Sequence, residues 1–266
     1  MTSLPPPQPS RRGVLAALAV TARALAGPRL AAAGSDLRVD RPSPAVREIA
    51  RRLAPPMAPP RERALALYRF VRDEIRFGFT DRFDLATPDE TLTRRRGHCN
   101  PQAALFASLC HAAGLEARVH FVTIADDILA GIFPERAAPP PRLTHSFTEL
   151  RLGDGWIRLD GYIVDPALHA AALAQLRREG RRLGYGVHAD GGIEWDGTSD
   201  CMAQFVSPAM LAGPDHGPFV DLAAFYHSAA YTQRLNVVTG LLYRTFSVPP
   251  ANATLDRLRS AAGLPA

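Results

Sequence analysis

The sequence predicts an α+β fold in which one helix packs on an antiparallel sheet. Apolar residues at helical spacing from Asn100 to Ala113, followed by Gly114, indicate the helix. Three strand candidates come next, at 117–124, 146–152 and 156–162. The last two are joined by Gly153-Asp154-Gly155, which is typical of a hairpin turn, and a hairpin makes neighbouring strands antiparallel.

Two helices are expected before this unit. Residues 42–53 carry apolar side chains at helical spacing, and paired prolines then interrupt the pattern. Residues 61–76 form a longer amphipathic stripe. The segment 77–96 shows no sustained period and is interpreted as a surface loop that leads to Cys99.

The remainder of the chain is expected to be mostly helical. Asp165 before Pro166 is a good helix start, and apolar residues recur at helical spacing in 219–242 and 253–262. The predicted organisation has four parts: a leader at 1–33, a helix and proline-rich linker at 34–60, a core at 61–183, and a C-terminal extension at 184–266 packed on that core.

The first residues are typical of an export signal. Ser10-Arg11-Arg12-Gly13 precedes an apolar stretch, and Ala31-Ala32-Ala33 offers a cleavage site, so a twin-arginine signal and a periplasmic or secreted location are predicted. Arg23 and Arg29 interrupt the apolar stretch, which leaves open a disordered leader on a cytoplasmic protein. The chain has no run of about 18 apolar residues, so stable membrane insertion is not expected.

Charge and cysteine content narrow the possible partners. The net charge is +5, and the four arginines of residues 1–33 account for all but one of these charges, so no nucleic-acid partner is expected. All 31 basic residues are arginine, which excludes lysine chemistry. Three cysteines argue against a disulfide scaffold, although a Cys110–Cys201 pair stays open. Nothing in the sequence indicates an oligomeric state.

Cys99 is the best candidate nucleophile. It stands where Asn100-Pro101 begins the predicted helix, and a helix N-terminus favours an anion such as a thiolate. The free backbone N–H groups at that position could also bind the oxyanion formed when a carbonyl is attacked.

A neighbouring imidazole must share the proton of such a thiol, and His145 at the head of a strand candidate fits best. With Asp154-Gly155 as the turn, Asp160 faces Glu149 on the side of the sheet that His145 shares. The two residues would then lie four positions apart along the strands, roughly 13 Å. A bulge, a shifted turn or strong twist is therefore needed to join them.

Three segments resemble the transglutaminase-like superfamily. They are Gly97-His98-Cys99, Thr144-His145-Ser146-Phe147-Thr148-Glu149 and Gly155-Trp156-Ile157-Arg158-Leu159-Asp160. The resemblance covers about residues 61–165 and implies a papain-like core in which the nucleophile helix packs on the sheet. It assigns Cys99 as nucleophile, His145 as base and Asp160 as the orienting carboxylate.

The resemblance also implies a reaction that passes through a thioester on a peptide or protein substrate, either hydrolysis or transfer to an amine. Hydrolysis is favoured, because nothing in the sequence marks an amine site. It implies no cofactor, and adjacent His98 and Cys99 lack metal-ligand spacing. The chain has Phe147 where the family more often has tryptophan, and no side chain matches a second oxyanion donor. A non-catalytic domain of the same fold that binds peptides or proteins is the alternative.

Overall fold

The computed structural model describes residues 37–134 and 140–261. The predicted export signal at 1–33 lies outside these residues. Within the described ranges, no helix is long and apolar enough to cross a membrane.

The described residues form eight α-helices and eight strands, numbered in chain order. The helices are α1 (Pro44–Leu53), α2 (Pro60–Glu74), α3 (Pro88–Arg94), α4 (Cys99–Ala112), α5 (Pro166–Glu179), α6 (Leu222–His227), α7 (Val237–Leu242) and α8 (Val248–Ala261). The strands are β1 (Arg76–Phe77), β2 (Arg96–Gly97), β3 (Ala117–Ala125), β4 (Arg142–Leu152), β5 (Gly155–Leu159), β6 (Leu183–Gly184), β7 (Val187–His188) and β8 (Leu211–Phe219).

The main sheet has four strands in the order β5-β4-β3-β8, and all neighbours are antiparallel. Helix α4 packs against β3 and β4. This confirms the predicted α+β class and the packing of the cysteine helix on an antiparallel sheet. Strand β8 comes from the C-terminal extension, so that part of the chain completes the sheet in addition to packing on it.

Helix α4 is the centre of the core. Every residue from Asn100 to Cys110 is buried, and Phe106 is packed edge-on against Tyr68 and tilted against Tyr162. Burying a side chain such as Phe106 contributes on the order of 2 kcal/mol. Because α4 is enclosed on all sides, its first residue, Cys99, is held in a fixed position.

The hairpin between β4 and β5 corrects the predicted turn. Leu152 pairs with Gly155, so the turn residues are Gly153 and Asp154, and Gly153 takes a φ of 62°. Extending this register brings Asp160 level with Phe147 instead of Glu149. The shift is two residues, which keeps Asp160 on the face of His145 and reduces their separation along the strands to about 7 Å.

The segment 77–96 is not the surface loop that was expected. It contains α3, whose start is a capping box in which Thr87 accepts a hydrogen bond from the Glu90 amide while the Glu90 carboxylate accepts one from the Thr87 amide. Thr87-Pro88-Asp89-Glu90 carries this signal in the sequence, but α3 has only seven residues, too few for a period to be recognised.

The C-terminal helices confirm the helical character of the extension. Helix α7, the π-helical turn Tyr243–Ser247 and α8 follow one another without a break. Arg259 of α8 is buried, and its guanidinium donates to both oxygens of Asp165, the N-cap of α5, and to the carbonyl of Phe77. This ion pair fixes α8 to the core.

Candidate active site

Cys99 is the first residue of α4 and is partly buried. It lines a cavity of about 40 Å³ together with His145, Phe79, His98 and Gln204. Pro101 has no N–H group, so the backbone donors of this first turn belong to Cys99 and Asn100. The sulfur atom therefore lies at the positive end of the helix dipole.

His145 lies on β4 and is 2% exposed. Its Nε2 is 3.2 Å from Oδ2 of Asp160, so Nδ1 is the ring nitrogen that remains for Cys99. Burial lowers the pKa of His145. The negative charge of Cys99 and the hydrogen bonds with Asp160 and Cys99 outweigh this effect and raise the pKa to about 9. His145 consequently holds its second proton at neutral pH when it faces a thiolate.

Asp160 follows the last residue of β5 and is completely buried. Its carboxylate accepts hydrogen bonds from the backbone amides of Ala203 and Gln204 at Oδ1 and of Phe205 at Oδ2. The bond from the Phe205 amide is 2.8 Å long. These three amides replace the hydrogen bonds to water that a carboxylate loses on burial.

The amides of 203–205 reach Asp160 because their segment runs beside the end of β5. The carbonyl of Cys201 accepts from the amides of Asp160 and Gly161, each at 3.0 Å, and the Cys201 amide donates to Arg158. No sequence pattern marks this segment, because backbone amides make the contacts whatever the side chains are.

A comparison with known protein families finds a match for part of the chain. Residues 47–161 match the model of the transglutaminase-like superfamily, a range that contains Cys99, His145 and Asp160. The chain contains a transglutaminase-like domain. This confirms the resemblance seen in the sequence and supports a thiol-enzyme family, without distinguishing hydrolysis from acyl transfer.

A solved structure similar to the transglutaminase-like domain is described as "a Putative Cysteine Protease from Cytophaga hutchinsonii". It is 20% identical, with a TM-score of 0.37, and the match covers 50% of this chain and 44% of that one. The chain therefore spans less than half the length of that protein. No curated protein matches the sequence.

A second buried polar group lies beside Cys99 in the transglutaminase-like domain. Nε2 of His98 is 2.7 Å from Oδ1 of Asp84, and the hydroxyl of Tyr231 donates to Oδ2 of Asp84 at 2.7 Å. The His98 ring is stacked between Phe79 and Phe83, with centroid distances of 5.5 and 5.4 Å. His98 therefore belongs to a packed network. No sequence signal pointed to Asp84, which lies in the segment without a period.

The described residues of the domain contain neither a group of metal ligands nor a disulfide. Within 37–134 and 140–261 no group of His, Cys, Asp or Glu is arranged to hold a metal ion. Cys110 and Cys201 are both buried free thiols, so the disulfide that the sequence allowed between them is not formed. Burial raises the pKa of both thiols, that of Cys201 to about 11, so neither is an activated nucleophile.

Phe147 occupies the position where the family more often has tryptophan. Its ring stacks on His120 at 4.6 Å and on Phe205 at 5.7 Å, and Phe205 also lies 6.1 Å from the ring of His145. The segment that supplies amides to Asp160 thus also covers His145 with an aromatic ring, and this cover excludes water from the pair.

Proposed function

We propose that this chain is a thiol enzyme that cleaves a peptide or amide bond through a thioester on Cys99. One observation carries the proposal: Cys99 and His145 line the same cavity, and Asp160 binds Nε2 of His145. This arrangement holds the imidazole in one orientation and gives its other nitrogen to the sulfur.

In the first step the Cys99 thiolate attacks the carbonyl carbon, and the carbonyl π electrons move to oxygen. The backbone N–H groups at the start of α4 stabilise this oxyanion. The imidazolium of His145 then gives its Nδ1 proton to the amide nitrogen as the C–N bond breaks. The products of this step are a free amine and a thioester.

In the second step water attacks the thioester carbonyl while His145 accepts a proton from it. The tetrahedral intermediate collapses, which releases the carboxylic acid and restores the thiolate. We infer hydrolysis over transfer to an amine, because no feature of the sequence marks a site for an amine acceptor.

The substrate class that fits this chemistry is a peptide or protein. The signal predicted at residues 1–33 would place the reaction in the periplasm or outside the cell, where peptide bonds of envelope proteins are available. Sequencing the N-terminus of the protein purified from its native cells tests the location, since cleavage after Ala33 is expected for an exported protein.

Alkylation by iodoacetamide at pH 7 tests the chemistry, with the modified peptides identified by mass spectrometry. We expect Cys99 to react at least 10-fold faster than Cys110 and Cys201, which serve as internal reference thiols. His145→Ala should slow the alkylation of Cys99 and leave the rates at Cys110 and Cys201 unchanged. His227→Ala removes an exposed histidine of α6 and should leave the rate unchanged.

Equal alkylation of Cys99 in the wild-type chain and in His145→Ala would contradict the proposed mechanism. Such a result would favour the alternative, a transglutaminase-like fold that binds peptides without cleaving them. A fluorogenic peptide library then gives the second readout, because turnover that depends on both Cys99 and His145 is expected only of the enzyme.

A further inference from the structure

The cavity around Cys99 is too small to hold a substrate. Its volume of about 40 Å³ has room for only a few water molecules, at about 10–15 Å³ each. A groove of about 1040 Å³ adjoins it. Five residues line both spaces: Phe79, Phe83, Leu129, Leu143 and Gln233. Any substrate whose carbonyl reaches Cys99 must therefore extend into the groove.

Aromatic rings form the wall between the two spaces. Phe79 packs against Phe133 with centroids 4.8 Å apart, and Phe83 packs against Tyr243 at 5.0 Å. Asn252 of α8 holds the backbone of Phe79 through two hydrogen bonds of 2.9 Å. Phe83 has a φ of 50°, a conformation that a residue of this size rarely adopts. These contacts keep an apolar wall in place at the mouth of the cavity.

A second wall of the groove comes from the C-terminal helical run. Thr239, Tyr243 and Ser247 line the groove at intervals of four residues along this helical run, and Leu235 lines it just before α7 begins. The π-helical turn at Tyr243–Ser247 lies in this wall, and such turns are often found at functional sites. Six large apolar residues of this region are exposed: Leu235, Val237, Val238, Leu241, Leu242 and Phe246.

We propose that this groove binds an apolar part of the substrate, an aromatic or long aliphatic group close to the bond that Cys99 attacks. The inference rests on the proposed function and adds the substrate class. Continuity with the Cys99 cavity identifies the occupant as substrate. Most of the lining residues are aromatic or aliphatic, with Arg142 and Arg234 as the charged ones, and this lining selects an apolar group. Burial of an aromatic ring in such a groove increases binding about 10-fold or more.

Chloroacetamides provide the test, because their reactive carbon reaches Cys99 while the substituent on nitrogen extends beyond it. Three reagents are compared on the purified chain: chloroacetamide itself, the N-phenethyl derivative and the N-(2-hydroxyethyl) derivative. Rates of Cys99 modification are divided by the rates with free glutathione, which removes intrinsic reactivity. We expect the phenethyl reagent to be favoured at least 10-fold over the hydroxyethyl reagent.

Two matched variants locate the effect. Leu235→Asp places a carboxylate on an exposed residue of the groove wall, and Val238→Asp places one on an exposed residue that does not line the groove. The advantage of the phenethyl reagent should fall at least 5-fold in Leu235→Asp and stay within 2-fold of the wild-type value in Val238→Asp. Both sites are at the surface, so neither variant is expected to unfold.

The outcomes separate this inference from the proposed function. If chloroacetamide modifies Cys99 rapidly and the reaction depends on His145, but the phenethyl group gives no advantage, the groove proposal is overturned and the thiol-enzyme proposal stands. An equal loss of the phenethyl advantage in Leu235→Asp and Val238→Asp would also overturn the groove proposal. If chloroacetamide modifies Cys99 no faster than Cys201, both proposals fail.

Discussion

Nε2 of His145 lies 3.2 Å from Oδ2 of Asp160, and the two side chains are 2% and 0% exposed. The Asp160 carboxylate has no access to water and depends on three backbone amides from residues 203–205. The pair is thus assembled from three parts of the chain: β4, the end of β5, and a segment some 40 residues further on. The orientation of the imidazole depends on all three.

Asp160→Asn should impair the site strongly, although the two side chains have nearly the same size. An amide keeps the shape but loses the charge, and it cannot accept at both positions where backbone amides and His145 donate. We expect alkylation of Cys99 to slow by about 100-fold or more. The free energy of unfolding should fall by about 1–3 kcal/mol, measured by urea denaturation. Asp154→Asn, in the exposed hairpin turn, should change neither quantity.

Removal of the thiol should lower the pKa of His145. Burial lowers this pKa, and the charge of Cys99 is the largest influence among those that raise it to about 9. In Cys99→Ala we therefore expect the imidazole to lose its proton at a lower pH, as measured by NMR titration of its ring protons. Cys201→Ala is the control. An unchanged titration in Cys99→Ala would show that sulfur and imidazole do not interact.

The attachment of β8 should depend on pH through His120. This histidine lies 2.9 Å from Glu149 and 2.6 Å from Asp215 of β8. Burial lowers the pKa of His120, but the two carboxylates raise it above its usual 6.5. The stabilisation is therefore present below pH 6.5 and is lost as the pH rises through the raised pKa.

The same contacts lower the pKa values of Glu149 and Asp215 against the opposing effect of burial. Their contribution is present above their usual pKa values near 4 and is lost in acid. Urea denaturation at pH 5.5 and 8.5 should show a loss of stability at the higher pH that is smaller in His120→Gln. A pH dependence that is identical in the two proteins would exclude this role.

Tyr231→Phe should destabilise the hydrogen-bonded network of Asp84 and His98 beside Cys99. The hydroxyl is the donor to Oδ2 of Asp84, and its removal leaves a buried carboxylate oxygen without that partner. We expect the free energy of unfolding to fall by about 1–3 kcal/mol. Tyr185→Phe is the matched control, since its hydroxyl donates to the more accessible Glu179 and should cost less. Equal losses would show that the Asp84 network is not buried in solution.

Arg259→Met should loosen α8 from the core. The change leaves Asp165, a buried carboxylate, without its cation, and breaking a buried pair on one side costs about 3–5 kcal/mol. Arg257→Met on the same helix removes an exposed guanidinium whose partner among the described residues is the hydroxyl of Thr254, and it should cost less than about 1 kcal/mol. Thermal unfolding of the two variants gives the comparison.

Several features follow from the sequence alone, because local physics decides them. The period of apolar residues placed α4, and the position of Cys99 before Pro101 placed the thiol at the start of that helix. Alternation along a strand put His145 and Asp160 on one face for either turn, since the two registers differ by an even number of residues. The capping-box residues Thr87 and Glu90 can also be recognised in the sequence, but the short helix that follows them cannot.

Other features required the tertiary structure. The hairpin turn at Gly153-Asp154 decided whether His145 and Asp160 lie four or two residues apart, and two neighbouring glycines made either turn possible in the sequence. The amides that hold Asp160 have no side-chain signature, and Asp84 meets His98 and Tyr231 only after the chain has folded. Residue types and periods thus pointed to Cys99, His145 and Asp160 as candidates, whereas long-range backbone contacts, which leave no pattern in the sequence, decided how these side chains are oriented and enclosed.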